Sequence, residues 1–338
     1  MPLPEHERIK LVMLQRRIQP ALERMQTAYG QLLASDSALT TEVCDHIRQG
    51  RSKLFRPTLL LLCALDGDRG RDGVAPLAIE AAAAVELVHT ATLVHDDFID
   101  GSQTRRGQPA VNVAYGPEVA LIMGDLLYTK ALDHLGQLGM DWAYKLLTRT
   151  AVLMSEAEML QVEHRYQLDV SEETYLRIIF QKTASLIECA CRIGSSLHPD
   201  GADRDEVFET FGGKTGLVFQ ITDDIFDYLG DPRRLGKPTG RDWEEGRITL
   251  PLIAAWRRAD GPARQILAEA AAQRDPGARA VAWPLVREFV STHGGVDYAY
   301  ERARGYANEA KTALNRLPAG PQRDMLQVAV EYVVNRLH

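Results

Sequence analysis

Two aspartate-rich segments of the same form stand out in the chain: His95-Asp96-Asp97-Phe98-Ile99-Asp100 and Gln220-Ile221-Thr222-Asp223-Asp224-Ile225-Phe226-Asp227. Each is a DDxxD sequence inside an apolar, helix-like stretch. Residues four apart on a helix lie roughly 40° apart around its axis, so Asp96 shares a face with Asp100 and Asp223 with Asp227. Like charges at that spacing are destabilising unless something positive sits between them. Carboxylates without thiol or imidazole partners suit hard cations, and Mg²⁺ is usually held by a few carboxylates together with substrate phosphates. Two facing clusters of this kind suggest a site where several Mg²⁺ ions grip a diphosphate. One DDxxD alone would read as a solvated helix face. Two copies, set among Leu93, Val94, Phe219 and Ile221, reverse that reading.

Base follows acid in both places. Gly101 is placed to stop the first helix, and Arg105-Arg106-Gly107 come just after it. After Asp227, the loop 229–247 carries Arg233, Arg234, Lys237, Arg241 and Arg247. Carboxylates holding ions, with arginines and lysines holding phosphate oxygens, suit a metal-bound diphosphate. Three further residues have ordinary readings when taken singly. Lys182, in the apolar run 178–184, reads as a snorkelling lysine. His89, seven residues before Asp96 on the same face, reads as a core histidine. Gln220 is spaced to brace Asp223.

The elements that must position these residues are helices. Apolar residues recur at i, i+3 and i+4, with helix starts expected near Glu7, Ser37, Arg56, Val74, Val119, Asp141, Glu172, Asp203, Leu250, Pro262, Pro284, Val296 and Pro321. Breaks fall at 66–70, 101–109, 198–201 and 230–246, where Gly, Pro and charges cluster. There is no alternating strand pattern of useful length, no internal repeat and no linker, so the expectation is a single all-α domain over 1–338. A net charge of −7 argues against general nucleic-acid binding. The polar start reads as no signal peptide. The most apolar runs, 59–65 and 81–94, are short for a bilayer or carry Glu86 and His89, so no transmembrane segment is expected. Cys44, Cys63, Cys189 and Cys191 lack zinc spacing and read as core. The simplest location is the cytoplasm.

Five ordered motifs carry a resemblance: Lys53-Leu54-Phe55-Arg56-Pro57; the segment from His89 to Asp100; Arg105-Arg106-Gly107; Lys182-Thr183; and Phe219-Gln220 through Asp227, with Gly236-Lys237-Pro238 and Leu250-Pro251 beyond. From about Gly50 to Pro251 the chain resembles the trans-isoprenyl diphosphate synthases, or polyprenyl synthetases. The resemblance implies an isoprenoid-synthase-type helical bundle around a deep central cavity, usually in a homodimer. It implies that Asp96 and Asp100, with Asp97 in support, bind Mg²⁺ with an allylic diphosphate. It implies too that Asp223 and Asp227, beside Asp224, bind a further Mg²⁺ from the opposite wall. It gives Arg105, Lys182, Thr183, Gln220 and Lys237 to the allylic substrate, and Lys53, Arg56, His89 and Arg106 to isopentenyl diphosphate. The implied reaction ionises the allylic C–O bond and lets the isopentenyl double bond attack the cation; the departing diphosphate takes the proton. No nucleophilic Ser or Cys is needed. Peripheral membrane contact would serve product release.

The chain departs from the family pattern where Arg51-Ser52, rather than glycines, precede Lys53, which predicts a looser loop there. Arg247 stands where the family often has lysine. Short-chain members often carry an aromatic residue four or five positions before the first aspartate. Here those positions are Thr92 and Ala91, with Ala81 to Ala84 upstream, so an open cavity floor and a product longer than geranylgeranyl are expected; a bulky residue elsewhere, for instance on the helix containing Met123 and Tyr128, could close the cavity further down. The alternatives are a short-chain farnesyl or geranylgeranyl synthase, a terpene cyclase, and a non-catalytic subunit. The basic residues for a second diphosphate oppose the cyclase, and the complete aspartates oppose the subunit.

Overall fold

The 24-residue helix Pro76–Ile99 organises the first motif. Proline at its start costs no hydrogen bond, because that N–H would be unsatisfied anyway, and its interior is free of Gly and Pro. Ala81 to Ala84 and Ala91 have no accessible surface, so neighbouring helices pack directly on their methyl groups. By length and composition this helix could cross a membrane, which corrects the expectation that no apolar run was long enough. Its apolar window is 72% buried within the protein, as in the core helix of a globular fold.

The computed structural model describes residues 5–50, 52–66, 73–229 and 239–334. Its elements, in order, are α1 (Glu5–Arg17), α2 (Gln19–Leu32), α3 (Ala38–Gln49), α4 (Phe55–Cys63), α5 (Pro76–Ile99), β1 (Thr104–Arg105), β2 (Gln108–Pro109), α6 (Val111–Ala114), α7 (Pro117–Gln137), α8 (Asp141–Glu163) and α9 (Glu172–Ile179). A π-helical segment (Phe180–Ala184) follows, then α10 (Ser185–Ser196), α11 (Gly201–Leu229), α12 (Arg241–Glu244), α13 (Leu250–Arg258), α14 (Gly261–Ala271), α15 (Pro276–Thr292), α16 (Gly295–Leu314) and α17 (Pro321–Val334). The all-α expectation holds: the only sheet among the described residues is the two-stranded β1–β2 ribbon.

The chain divides into two compact units. The first comprises Met1–Ala151, Leu186–Gly212 and Leu314–Ala329. Its centre is α5, packed against α2, α4 and α7. The second comprises Val152–Ser185, Gly213–Ala313 and Val330–His338. There α15 packs against α12, α13 and α14. All four cysteines are buried and free, as a core role requires.

Several boundaries differ from the sequence reading. Pro20 sits in the first turn of α2 and separates it from α1, where one helix was expected. Pro284 lies inside α15 rather than opening a helix; the start is Pro276, capped by the Asp275 side chain, which accepts from the Ala278 N–H at 2.8 Å. Pro284 is tolerated because it and Ala280, whose carbonyl loses its partner, lie on the exposed face where water replaces the bond.

Candidate active site

In the first unit, the DDxxD segment is the last turn of α5. Gly101, at φ +62°, ends the helix in a Schellman arrangement: the Gly101 N–H donates to the Phe98 carbonyl and the Ser102 N–H to that of Asp97. Asp96 and Asp100 are half-buried, whereas Asp97 is only 3% exposed. The buried carboxylate is latched by Arg105, whose Nε donates to both oxygens at 2.9 Å and whose Nη2 adds a third bond. Arg105 reaches back because β1 and β2 are joined by Arg106-Gly107, both at positive φ, the geometry of a type I′ hairpin turn. This ribbon was absent from the sequence reading, because arginine is a poor marker for a turn that usually shows Asn-Gly.

The same hairpin puts the Arg106 stem beside Gly50. A shallow open groove lies along this face, lined by His46, Thr90, Leu93, Asp97 and both arginines. Nearer the middle of α5, Arg56 Nη1 donates to His89 Nε2 at 3.1 Å. Burial, reinforced by Arg56, Arg106 and Arg105, holds the His89 pKa well below its ordinary value. His89 is therefore a neutral acceptor that orients a guanidinium, more than a satisfied core histidine.

The turn before Arg56 is tighter than expected. Ser52 Oγ donates to the buried Glu86 carboxylate at 2.7 Å and accepts from the Leu54 N–H, and Leu54 takes a left-handed φ of +51°. Gln15 holds the Lys53 carbonyl from α1 at 2.9 Å. Ser52 thus anchors the loop that its departure from glycine was expected to loosen. Glu86 and Gln15 were not legible as site residues, since their partners lie 34 and 38 positions away.

In the second unit, Asp223, Asp224 and Asp227 lie in the last two turns of α11, and the burial pattern of the first motif repeats. Asp224 is 4% exposed, while Asp223 and Asp227 are half-buried. Tyr175 Oη donates to Asp224 Oδ2 at 2.6 Å and Gln220 Nε2 to Oδ1 at 2.8 Å. Gln220 in turn accepts from Thr183 Oγ1 at 2.8 Å. Gln220 therefore braces Asp224, four residues on, and not Asp223. Burial, with the Asp242 carboxylate nearby, pushes the Asp224 pKa well up. Asp227 accepts the backbone N–H groups of Gly240, Arg241 and Asp242 at 3.0 to 3.2 Å. Burial and Asp242 raise its pKa to about 7 all the same.

Lys182 sits in the π-helical segment, an irregularity frequent at functional sites. Its ammonium pairs with Glu158 of α8 at 2.5 Å, so the lysine is held and does not simply snorkel to solvent. Glu158, 24 positions before Lys182, left no sequence signal. Arg233, Arg234, Gly236, Lys237 and Pro238 lie outside the described residues, as does Arg51.

The donor chemistry fits a hard divalent cation. Both motifs place carboxylates at helix C-termini, where the helix dipole disfavours negative charge and a cation relieves it. Among the described residues no group of three or more metal-binding side chains converges. An ion here would take a few carboxylate oxygens and share its remaining positions with phosphate and water, the usual habit of Mg²⁺. Asp227 offers least, since three of its roughly four acceptor positions are taken by amides.

An all-α fold bearing two latched DDxxD motifs, each with basic residues beside it, defines a class of diphosphate-handling helical enzymes. The polyprenyl synthetase family model matches residues 37–285, and the chain belongs to that family, whose members are trans-prenyltransferases. It is 33% identical over 300 residues to a short chain isoprenyl diphosphate synthase of Methanothermobacter thermautotrophicus, covering 87% of this chain and 89% of that one. It is 33% identical over 304 residues to the octaprenyl diphosphate synthase of Escherichia coli, covering 90% and 92%. A polyprenyl synthase from Caulobacter crescentus, crystallised with calcium and isoprenyl diphosphate, superposes with a TM-score of 0.87 at 31% identity, covering 97% of this chain and 98% of that one.

Proposed function

We propose that the protein condenses isopentenyl diphosphate with an allylic diphosphate, by Mg²⁺-assisted ionisation, to give an all-trans polyprenyl diphosphate longer than geranylgeranyl. The carrying observation is the repeated division of labour in the two motifs: the middle aspartate is buried and latched, and the outer pair keeps access. Asp96 and Asp100, and likewise Asp223 and Asp227, would each hold Mg²⁺, which when bound stabilises charge developing on the leaving diphosphate. Arg105, Lys182 and Lys237 are cations for the allylic diphosphate, with Thr183 and Gln220 as polar contacts. Lys53, Arg56 and Arg106 take the isopentenyl diphosphate, and neutral His89 orients Arg56. The allylic C–O bond breaks with its electron pair leaving on the diphosphate. The isopentenyl double bond forms the new C–C bond, and the resulting cation loses a proton to the departed diphosphate.

The longer product rests on the absence of an aromatic residue at 91 and 92. The structure narrows that argument. Ala81 to Ala84 and Ala91 have no accessible surface and so line no space a product could enter; Thr92 remains half-buried and accessible. The short-chain reading differs only in cavity depth, and the relatives named above include both kinds. A homodimer belongs to the proposal, supported by Val113 of α6, Leu121 and Ile122 of α7 and Trp142 of α8, large apolar side chains that one chain leaves exposed. So do a cytoplasmic location and peripheral membrane contact, which suit an apolar product. Steady-state kinetics of Asp96→Ala and Asp223→Ala test the reading: turnover should fall by orders of magnitude with little loss of fold, and near-normal rates in both would sink it.

A further inference from the structure

Arg279 of α15 has no accessible surface, yet among the described residues no carboxylate pairs with it. Burying an unpaired charge is costly, and an arginine persists in such a place only where other groups compensate. Three backbone carbonyls do so here. Nε donates to Trp243 O at 2.6 Å, and Nη1 to Ala271 O at 3.2 Å and Gln273 O at 3.0 Å. Two of these carbonyls belong to the last turns of α12 and α14, whose dipoles favour a cation. The guanidinium also lies 3.7 Å from the centre of the Trp243 ring and 4.9 Å from that of Tyr166. Burial lowers its pKa to about 10, still charged at neutral pH.

The bonds are reciprocal, since Trp243 Nε1 donates to the Arg279 carbonyl at 2.9 Å. One turn along α15, Trp283 Nε1 donates to Thr239 Oγ1 at 3.3 Å. The Trp283 ring lies against Gly240, at φ +88°, where a Cβ would meet it at 2.5 Å. These contacts matter because α12 has four residues, too few to be stable without tertiary support. The same short segment supplies the three N–H groups that hold Asp227.

We propose that Arg279 is a positioning residue for Asp227: through Trp243 it fixes α12 so that the amides of Gly240, Arg241 and Asp242 hold the carboxylate in its metal-binding orientation. The proposal rests on the reading of Asp227 as a metal ligand.

The test uses the full-length protein with Arg279→Met, which keeps apolar bulk but loses charge and donors, and Arg279→Lys, which keeps charge but cannot bridge three carbonyls. Trp243→Phe, which removes the return bond and trims the ring under the guanidinium but keeps the Trp243 carbonyl, serves if both fail to fold. Hydrogen exchange of peptides spanning 239–247, measured without metal, should quicken about tenfold or more in the Arg279 variants while α5 exchanges as in the parent. The Mg²⁺ concentration for half-maximal rate should rise about tenfold, the size of effect usual for residues that orient a metal ligand. Arg279→Lys should rescue neither. Unchanged exchange at 240–242 in a folded variant overturns the proposal. So does loosened exchange with an unchanged Mg²⁺ midpoint, provided Asp227→Ala raises that midpoint. An Asp227→Ala midpoint equal to the parent's would overturn the ligand reading instead.

Discussion

Asp97→Asn separates two roles that the DDxxD spelling runs together. Asp97 is nearly buried and makes a bidentate pair with Arg105, whose side chain is 37% exposed. Breaking a fully buried ion pair by removing one partner costs about 3–5 kcal/mol. Arg105 can swing toward water when its partner is lost, so the expected cost is reduced to about 1–2 kcal/mol. With an unfolding entropy of about 2.1 cal/mol/K per residue over 338 residues, 1 kcal/mol shifts the melting temperature by about 1.4 °C. Asp97→Asn should therefore melt about 1.5–3 °C lower in calorimetry, while Asp96→Asn, which relieves repulsion on the same turn, should melt within about 0.7 °C of the parent. In turnover the order reverses: Asp96→Asn should lose far more activity. In Asp97→Asn the KM for the allylic substrate should rise as Arg105 loses its anchor. An Asp97→Asn protein with unchanged melting temperature and a loss of turnover equal to that of Asp96→Asn would refute the reasoning, because Asp97 would then act as a ligand and not as an anchor.

Three further outcomes are expected. Ser52→Ala removes the bond to Glu86 and the brace on a left-handed Leu54, and should raise the KM for isopentenyl diphosphate several-fold while leaving that for the allylic substrate alone; equal change in both constants would count against the assignment. The ladder of products should shorten in Thr92→Phe, whereas Ala91→Phe, at a site with no free space, should mainly cost about 1–3 kcal/mol of stability by overpacking; mass spectrometry of dephosphorylated products and a melting curve distinguish them, and an unaltered ladder in Thr92→Phe would remove Thr92 from the floor. Glu188, lodged in α10, has its pKa pushed up to about 7 by burial, against the opposing pull of Arg192. Its folded pKa exceeds the unfolded one, so its contribution to stability is present in full below about pH 4.5 and is lost as pH rises through about 7. The stability gained in Glu188→Gln relative to the parent should be larger at pH 8.5 than at pH 5.5, by up to about 2 kcal/mol, and an equal difference at both pH values would contradict the assignment.

The acid motifs were legible because i, i+4 spacing on a helix is a local property, and Gly101 marked the end of α5 for the same reason. What the spacing could not reveal is which aspartate turns inward. That depends on Arg105 arriving through a hairpin, and on Tyr175 and Gln220 reaching Asp224 from 49 and 4 positions away. Pro284 was misread as a helix start because a proline inside a helix is tolerated only where the orphaned carbonyl meets water, a fact of burial and not of sequence. Arg279 gave no signal at all: an arginine among alanines reads as surface until Trp243, 36 residues away, closes over it.

Chain elongation by this protein is directly measurable. Purified protein would be incubated with isopentenyl diphosphate, Mg²⁺, and farnesyl or geranylgeranyl diphosphate in turn, and the prenyl lengths read by mass spectrometry after dephosphorylation. A ladder of all-trans products extending beyond twenty carbons is expected. Consumption of the allylic diphosphate alone, giving a hydrocarbon with no isopentenyl unit added, would contradict it.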